Sequence, residues 1–174
     1  MDEGKYTIAL FDEGSFEKIY GGQLARYQLF NGLNQKKFNP IFISSKKNNY
    51  FNDCNMHTYC ILGLNNNVNE AKFENLFVNY RGVVSLLYAA IVSIFTLVNT
   101  IKKLKIDIIF PNDNYTRFIS SFAKLFVKIK IATYISDDYK SSITEKIVSN
   151  IIILFSDVVF VPSMYLYKKY TNRF

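Results

Sequence analysis

The chain has 174 residues, 49% of them hydrophobic, which excludes disorder and is enough to bury one core. Its formal net charge of +7 suits nucleic acid, anionic lipid headgroups or phosphorylated ligands, but no basic run is long enough to choose among them. Cys54 and Cys60 lack C-x-x-C spacing and paired histidines, which argues against a zinc site and for reduced thiols in a cytosolic protein.

In chain order, Lys5–Phe11 reads as a first strand that runs straight out of a polar start with no signal-peptide core. Asp12 to Tyr20 reads as a loop, Gly21-Gly22 as a tight turn, and Gln23 to Lys36 as an amphipathic helix carrying Leu24, Tyr27, Leu29, Phe30 and Leu33. Phe38-Asn39-Pro40 is a break, and Pro40 opens a second strand, Ile41–Ser44. After the Lys- and Asn-rich stretch Ser45–Asp53, Met56 to Leu62 is a third strand, closed by Gly63. Ala71 to Lys105 is helical, with an expected break near Arg81-Gly82. Asp107–Phe110 is a fourth strand stopped by Pro111, and Thr116–Lys128 a helix. Lys130–Ile135 is a fifth strand, Ser141–Phe155 a helix, and Asp157–Val161 a sixth strand. Ser163 is placed to cap a last helix, Met164–Tyr170.

Strands alternate with helices from end to end, and strands four to six are short continuous apolar runs. That pattern predicts one doubly wound α/β domain over residues 1–174, a mainly parallel sheet of about six strands with helices on both faces. Val83 to Ile101 carries no charge and has the length of a membrane span. Against a crossing, Ser85, Ser93, Thr96, Thr100 and Lys103 form a polar stripe, and strands lie on both sides of it. A buried crossover helix is the leading reading. A helix whose apolar back touches a membrane surface is the other.

In such a sheet, ligands bind beyond the carboxyl ends of the strands, where strand order reverses. Three of those ends are polar: Gly21-Gly22 after strand one, Asn112-Asp113 with Arg117 after strand four, and Ser136-Asp137-Asp138 after strand five. With strand order 3-2-1-4-5-6 they rim one cleft. Gly21-Gly22 lets a backbone approach an anion at a helix N-terminus. Asp113 and Asp137 suit orientation of sugar hydroxyls or base chemistry, and each equally suits a helix N-cap. His57 lies away from these loops. A G-x-G-x-x-G after strand one is missing, as is a phosphate-loop lysine. A receiver domain fits Asp12-Glu13, but no Asp follows Leu62.

Taken in order, Tyr6–Phe11, Gly21-Gly22 with Leu24–Leu33, Asp107–Asp113, Tyr134–Asp137 and Ser156–Ser163 resemble the N-terminal domain of GT-B glycosyltransferases of the family 4 type. That family's fourth strand often reads D-I-I/V-H-x-H-D, its fifth tends to end in T-x-H-D, and its sixth often reads A-D-x-V-x-x-x-S. Here Phe110, Asn112 and Ser136 stand at the three histidine positions. The resemblance implies an acceptor-binding half of a retaining enzyme that transfers a sugar from a nucleotide-sugar to a glycan or lipid-linked acceptor. It implies Asp137 and Asp113 as catalytic candidates, Gly21 and Gly22 beside the donor phosphates, and Asn112, Ser136, Asp138, Arg117 and Ser163 as substrate contacts. No cofactor is expected. The nucleotide-sugar is a donor substrate, held mostly by a second domain that the chain lacks and that a separate chain would supply. Alone the half should not turn over sugar nucleotides. A cytoplasmic location, peripheral on the inner face of an anionic membrane, and no nucleic-acid partner are expected. The alternative is a non-catalytic Rossmann-like binding or regulatory subunit.

Overall fold

Six strands line up in parallel in the order β3-β2-β1-β4-β5-β6. They are β1 Tyr6–Asp12, β2 Phe38–Ser44, β3 His57–Cys60, β4 Ile108–Pro111, β5 Lys130–Tyr134 and β6 Val158–Phe160. Among the described residues, the longer helices are α1 Tyr80–Leu104, α2 Asn114–Ala123, α3 Ile143–Phe155 and α4 Met164–Thr171. Residues 27–31 are also helical. The computed structural model describes residues 4–12, 27–44, 57–60, 80–135 and 143–171. Both the doubly wound class and the strand order anticipated for the cleft are observed.

Strands β1 and β2 are buried along their carboxyl halves because both faces of the sheet are covered there. Alternation decides which face each side chain serves. Ala9, Phe11, Ile41, Ile43, Ile109 and Ile131 point to one face and join Leu97, Val98 and Ile101 of α1 and Ile119 of α2. Leu10, Phe42 and Phe110 point to the other and meet Phe30, with the Phe30 and Phe110 rings edge to face at 5.7 Å. Each fully buried Phe stabilises the fold by roughly 1.5–3 kcal/mol.

Four local expectations are refined. Pro40 lies inside β2, which begins at Phe38. Pairing with β3 starts only at Ile41, so the proline is placed where no β2–β3 ladder bond is required. Arg81 and Gly82 are helical within α1, which runs from Tyr80 for 25 residues, while residues 71–79 of the expected helix lie outside the described residues. Asp12 belongs to β1 rather than to the loop, paired with Ser44. Helix α2 starts earlier than its sequence pattern suggested, because Asp113 caps it, and it ends at Ala123.

Helix α1 lies between β3 and β4 in chain order. No helix among the described residues is long and apolar enough to span a membrane. Its polar stripe is partly internal: Thr96 Oγ1 donates to the Val92 carbonyl and Thr100 Oγ1 to that of Thr96, both at 2.8 Å. The helix is followed by Lys105, whose φ of 50° is left-handed, and the Ile106 N–H returns to the Ile101 carbonyl at 3.0 Å. This is the six-to-one bond of a Schellman stop, with both isoleucines in the core.

Below the sheet's centre, Asp107 pins β4 to β1. Its Oδ2 accepts from the Thr7 N–H at 2.8 Å, and its own N–H donates to the Thr7 carbonyl at 2.9 Å. Asp157 does the same for β5, accepting from the Ile131 N–H at 2.7 Å and from Lys124 Nζ at 2.6 Å. Partial desolvation pushes the Asp157 pKa up, but the Lys124 and Ile131 hydrogen bonds and the Lys124 and Lys130 charges outweigh it, leaving it lowered.

Candidate functional site

The order β2-β1-β4-β5 places the reversal of strand order between β1 and β4, so their carboxyl ends flank the crevice. Two polar residues meet there. Asp12 ends β1 and is 4% exposed; Asn112 follows β4 and is 7% exposed. Asn112 Nδ2 donates to Asp12 Oδ2 across the crevice, and the Asn112 backbone N–H donates to the Phe11 carbonyl at 2.8 Å. Asn112 Oδ1 is buried and has no hydrogen-bond partner among the described residues. Such an acceptor costs stability until a donor reaches it.

Arg117 lies directly behind. It is 6% exposed, so its guanidinium is not a surface cation. Nη1 donates to Asn114 Oδ1 at 2.9 Å, and Nη2 donates to the Asn112 carbonyl at 2.9 Å and to the Tyr134 carbonyl. One planar group thus ties the end of β4 to the end of β5. Its position on the first turn of α2 follows from the cap. Asp113 Oδ1 accepts from the Thr116 N–H at 2.8 Å, while Thr116 Oγ1 accepts from the Asp113 N–H at 3.1 Å and donates to Asp113 Oδ2 at 3.0 Å. This reciprocal box satisfies backbone donors at both residues.

Of the residues selected from sequence, the structure brings Asn112, Asp113 and Arg117 to one strand end. Asn112 borders the crevice, Asp113 holds the helix start and Arg117 locks the two strand ends. Ser163 is at the neighbouring end of the sheet after β6, where its Oγ accepts from the Leu166 N–H at 3.3 Å as the cap of α4. Gly21, Gly22, Ser136, Asp137 and Asp138 lie outside the described residues. Asp12 was passed over because its polar character read as the start of a loop; its signal was the strand periodicity continuing through Phe11. Phe110, at one histidine position of the resembled motif, is a core residue packed on Phe30 and 6.3 Å from the ring of Phe160. Among the described residues no three His, Cys, Asp or Glu side chains gather as a metal site.

A buried carboxylate and an amide with a spare acceptor, side by side at a strand-order reversal, suit a ligand that presents hydroxyl hydrogens.

No protein-family model and no curated protein matches the sequence. Solved structures do match in fold. A glycosyltransferase from Rickettsia africae superposes with a TM-score of 0.64 at 17% identity, covering 94% of this chain and 38% of that one. Sucrose-phosphate synthase from Thermosynechococcus elongatus gives 0.64 at 15% identity, covering 98% and 45%. Anabaena HepE in complex with UDP-glucose gives 0.61 at 11% identity, covering 88% and 36%. The chain therefore spans less than half the length of each of these structures. Its architecture is that of a single half of a GT-B glycosyltransferase.

Proposed function

We propose that this chain is the acceptor-binding, N-terminal half of a retaining glycosyltransferase, acting with a donor-binding half to move a sugar from a nucleotide-sugar to a glycan or lipid-linked acceptor. The observation that carries the reading is the Asp12–Asn112 bridge across the strand-order reversal, with the spare Asn112 Oδ1 beside it. The GT-B architecture supports it, and one structure of similar fold was solved with UDP-glucose. In this reading Asp12 and Asn112 receive hydroxyl donors from the acceptor or the transferred sugar. Gly21-Gly22 borders the donor phosphates, and Asp137 with Ser136 and Asp138 completes the rim from β5. Asp113 and Arg117 hold the rim in place.

The test reconstitutes sugar transfer with this chain and a donor-binding half, and compares Asn112→Ala with wild type. Loss of one hydrogen bond to an uncharged hydroxyl is expected to reduce kcat/KM by about tenfold. Unchanged kcat/KM for Asn112→Ala would remove Asn112 from the site. One observation favours a second reading, a binding subunit without catalysis: Phe110 contributes packing where the resembled motif has an imidazole. Saccharide binding by this chain with no transfer in any pairing would select it.

A further inference from the structure

The amino ends of the central strands carry a row of cations. Lys37 precedes β2, Lys5 precedes β1, Lys105 lies shortly before β4, and Lys130 is the first residue of β5. All four are exposed. Along the chain they are scattered, and the sheet alone brings them to one edge, because β2, β1, β4 and β5 are neighbours in that order. Backbone bonds fix the edge: the Tyr6 N–H donates to the Lys37 carbonyl at 2.9 Å, the Asp107 N–H to that of Thr7 at 2.9 Å, and the Lys130 N–H to that of Asp107 at 3.0 Å. With neighbouring strands about 4.8 Å apart, the row spans about 15 Å.

An aromatic ring stands within the row. Tyr6 opens β1 and is 58% exposed, with its ring 6.4 Å from that of Phe38, its partner in register on β2. Lys130 pairs with Ile108 and Ile108 with Ile8, so Lys130 shares a sheet face with Ile8 and Tyr6. Lysines therefore flank the ring along the edge. The surface beside it is open: among the described residues, a Cβ on Gly4 would meet nothing within 4 Å. Around Phe38 the chain is polar and exposed at Asn34, Gln35 and Asn39. Of the described acids, Asp107 and Asp157 share this end, and both are engaged, Asp107 with the Thr7 N–H and Asp157 with Lys124.

Spaced cations around an exposed ring are the components of a single-strand nucleic-acid site, where lysines meet phosphates and the ring stacks on a base. An acidic peptide would use the lysines but not the ring. A bilayer needs a wider apolar surface than one ring among polar neighbours. Helix dipoles do not account for the row, since Lys5 and Lys130 stand at strand starts. We propose that the amino edge of β2-β1-β4-β5 binds single-stranded nucleic acid. The crevice is at the carboxyl ends of the same strands, so the two sites are separate. The inference does not depend on the proposed sugar transfer.

The test is fluorescence anisotropy of a labelled oligo-dT of about ten nucleotides, titrated with the full chain at several salt concentrations. If the four lysines each meet one phosphate, log affinity should fall against log salt with a slope of about −3. Lys5→Gln with Lys37→Gln should reduce that slope to about half. Tyr6→Leu keeps the apolar bulk and removes the ring, and should weaken binding by about fivefold or more with the slope unchanged. Circular dichroism checks that the lysine variant is folded, and Lys105→Gln with Lys130→Gln replaces it if it is not. No binding by wild type overturns the proposal, as does unchanged affinity for Tyr6→Leu. Equal affinity for inorganic polyphosphate, which has no bases to stack, also overturns it. Capture of poly-glutamate or anionic vesicles without the oligonucleotide does the same.

Discussion

Replacing Arg117 distinguishes a side chain that holds the site from one that contacts a ligand. Among the described residues its guanidinium donates to Asn114 Oδ1 and to the carbonyls of Asn112 and Tyr134, at the ends of different strands. Hydrogen bonds from a charged donor contribute about 1.5–3 kcal/mol each. The carbonyls lie at strand ends, where water recovers part of the loss. We therefore expect Arg117→Met to cost about 3–4 kcal/mol, a large share of a domain stability of roughly 5–15 kcal/mol. With a urea m-value of about 2 kcal/mol/M, the midpoint falls by about 1.5–2 M. Arg117→Lys keeps the charge but not the planar fork, and should recover less than half of this. The assay is urea unfolding followed by circular dichroism. A midpoint for Arg117→Met within about 0.3 M of wild type would refute the reasoning. If only the KM of the reconstituted enzyme then moved, Arg117 would be a ligand contact.

Two further predictions concern single residues. Lys105 has a left-handed φ of 50° at the stop of α1. Lys105→Gly relieves that strain and should stabilise the fold by about 0.5–1 kcal/mol, raising Tm by about 1–4 °C; an unchanged or lower Tm counts against it. Asp157 has a folded pKa below its unfolded one, so its contribution is fully present above the unfolded value and is lost as pH falls through the folded value. Because the Lys124–Asp157 pair is partly exposed, that contribution is only about 0.5–1 kcal/mol. Asp157→Asn should therefore destabilise at neutral pH and converge with wild type in strong acid; parallel stability curves down to that pH would contradict it.

Much of the architecture was legible because parallel strands buried on both faces leave continuous apolar runs, as in Ile108-Ile109-Phe110, and because helices separate them. The strand order was a condition of the cleft reading and not a consequence of that pattern, and it is the order observed. Strand ends were less legible. Asp12 and Pro40 carry residue types that signal loops, yet their neighbours in the sheet make them strand. The cap at Asp113 was readable as an equal alternative to chemistry, since its partner Thr116 lies three residues on. The burial of Arg117 was not readable at all. Nothing local distinguishes a surface cation from one whose acceptors are a carbonyl five residues back and another seventeen residues ahead.

The junction between β1 and β4 has a kinetic consequence. β1 pairs with β2 through a short excursion, but its other neighbour is Ile108–Pro111, paired from Ile8↔Ile108 onward. The side-chain bonds across that junction, Asp107 with Thr7 and Asn112 with Asp12, each span 100 residues. Closing a loop of this length costs roughly 4 kcal/mol of chain entropy, while β1–β3 and β4–β6 each assemble from nearer segments. Two local subsheets forming first and then zipping along β1 and β4 is the order that this topology favours. The crevice would then be the last part of the molecule to exist. A refolding chain would regain most of its secondary structure before it could bind anything there.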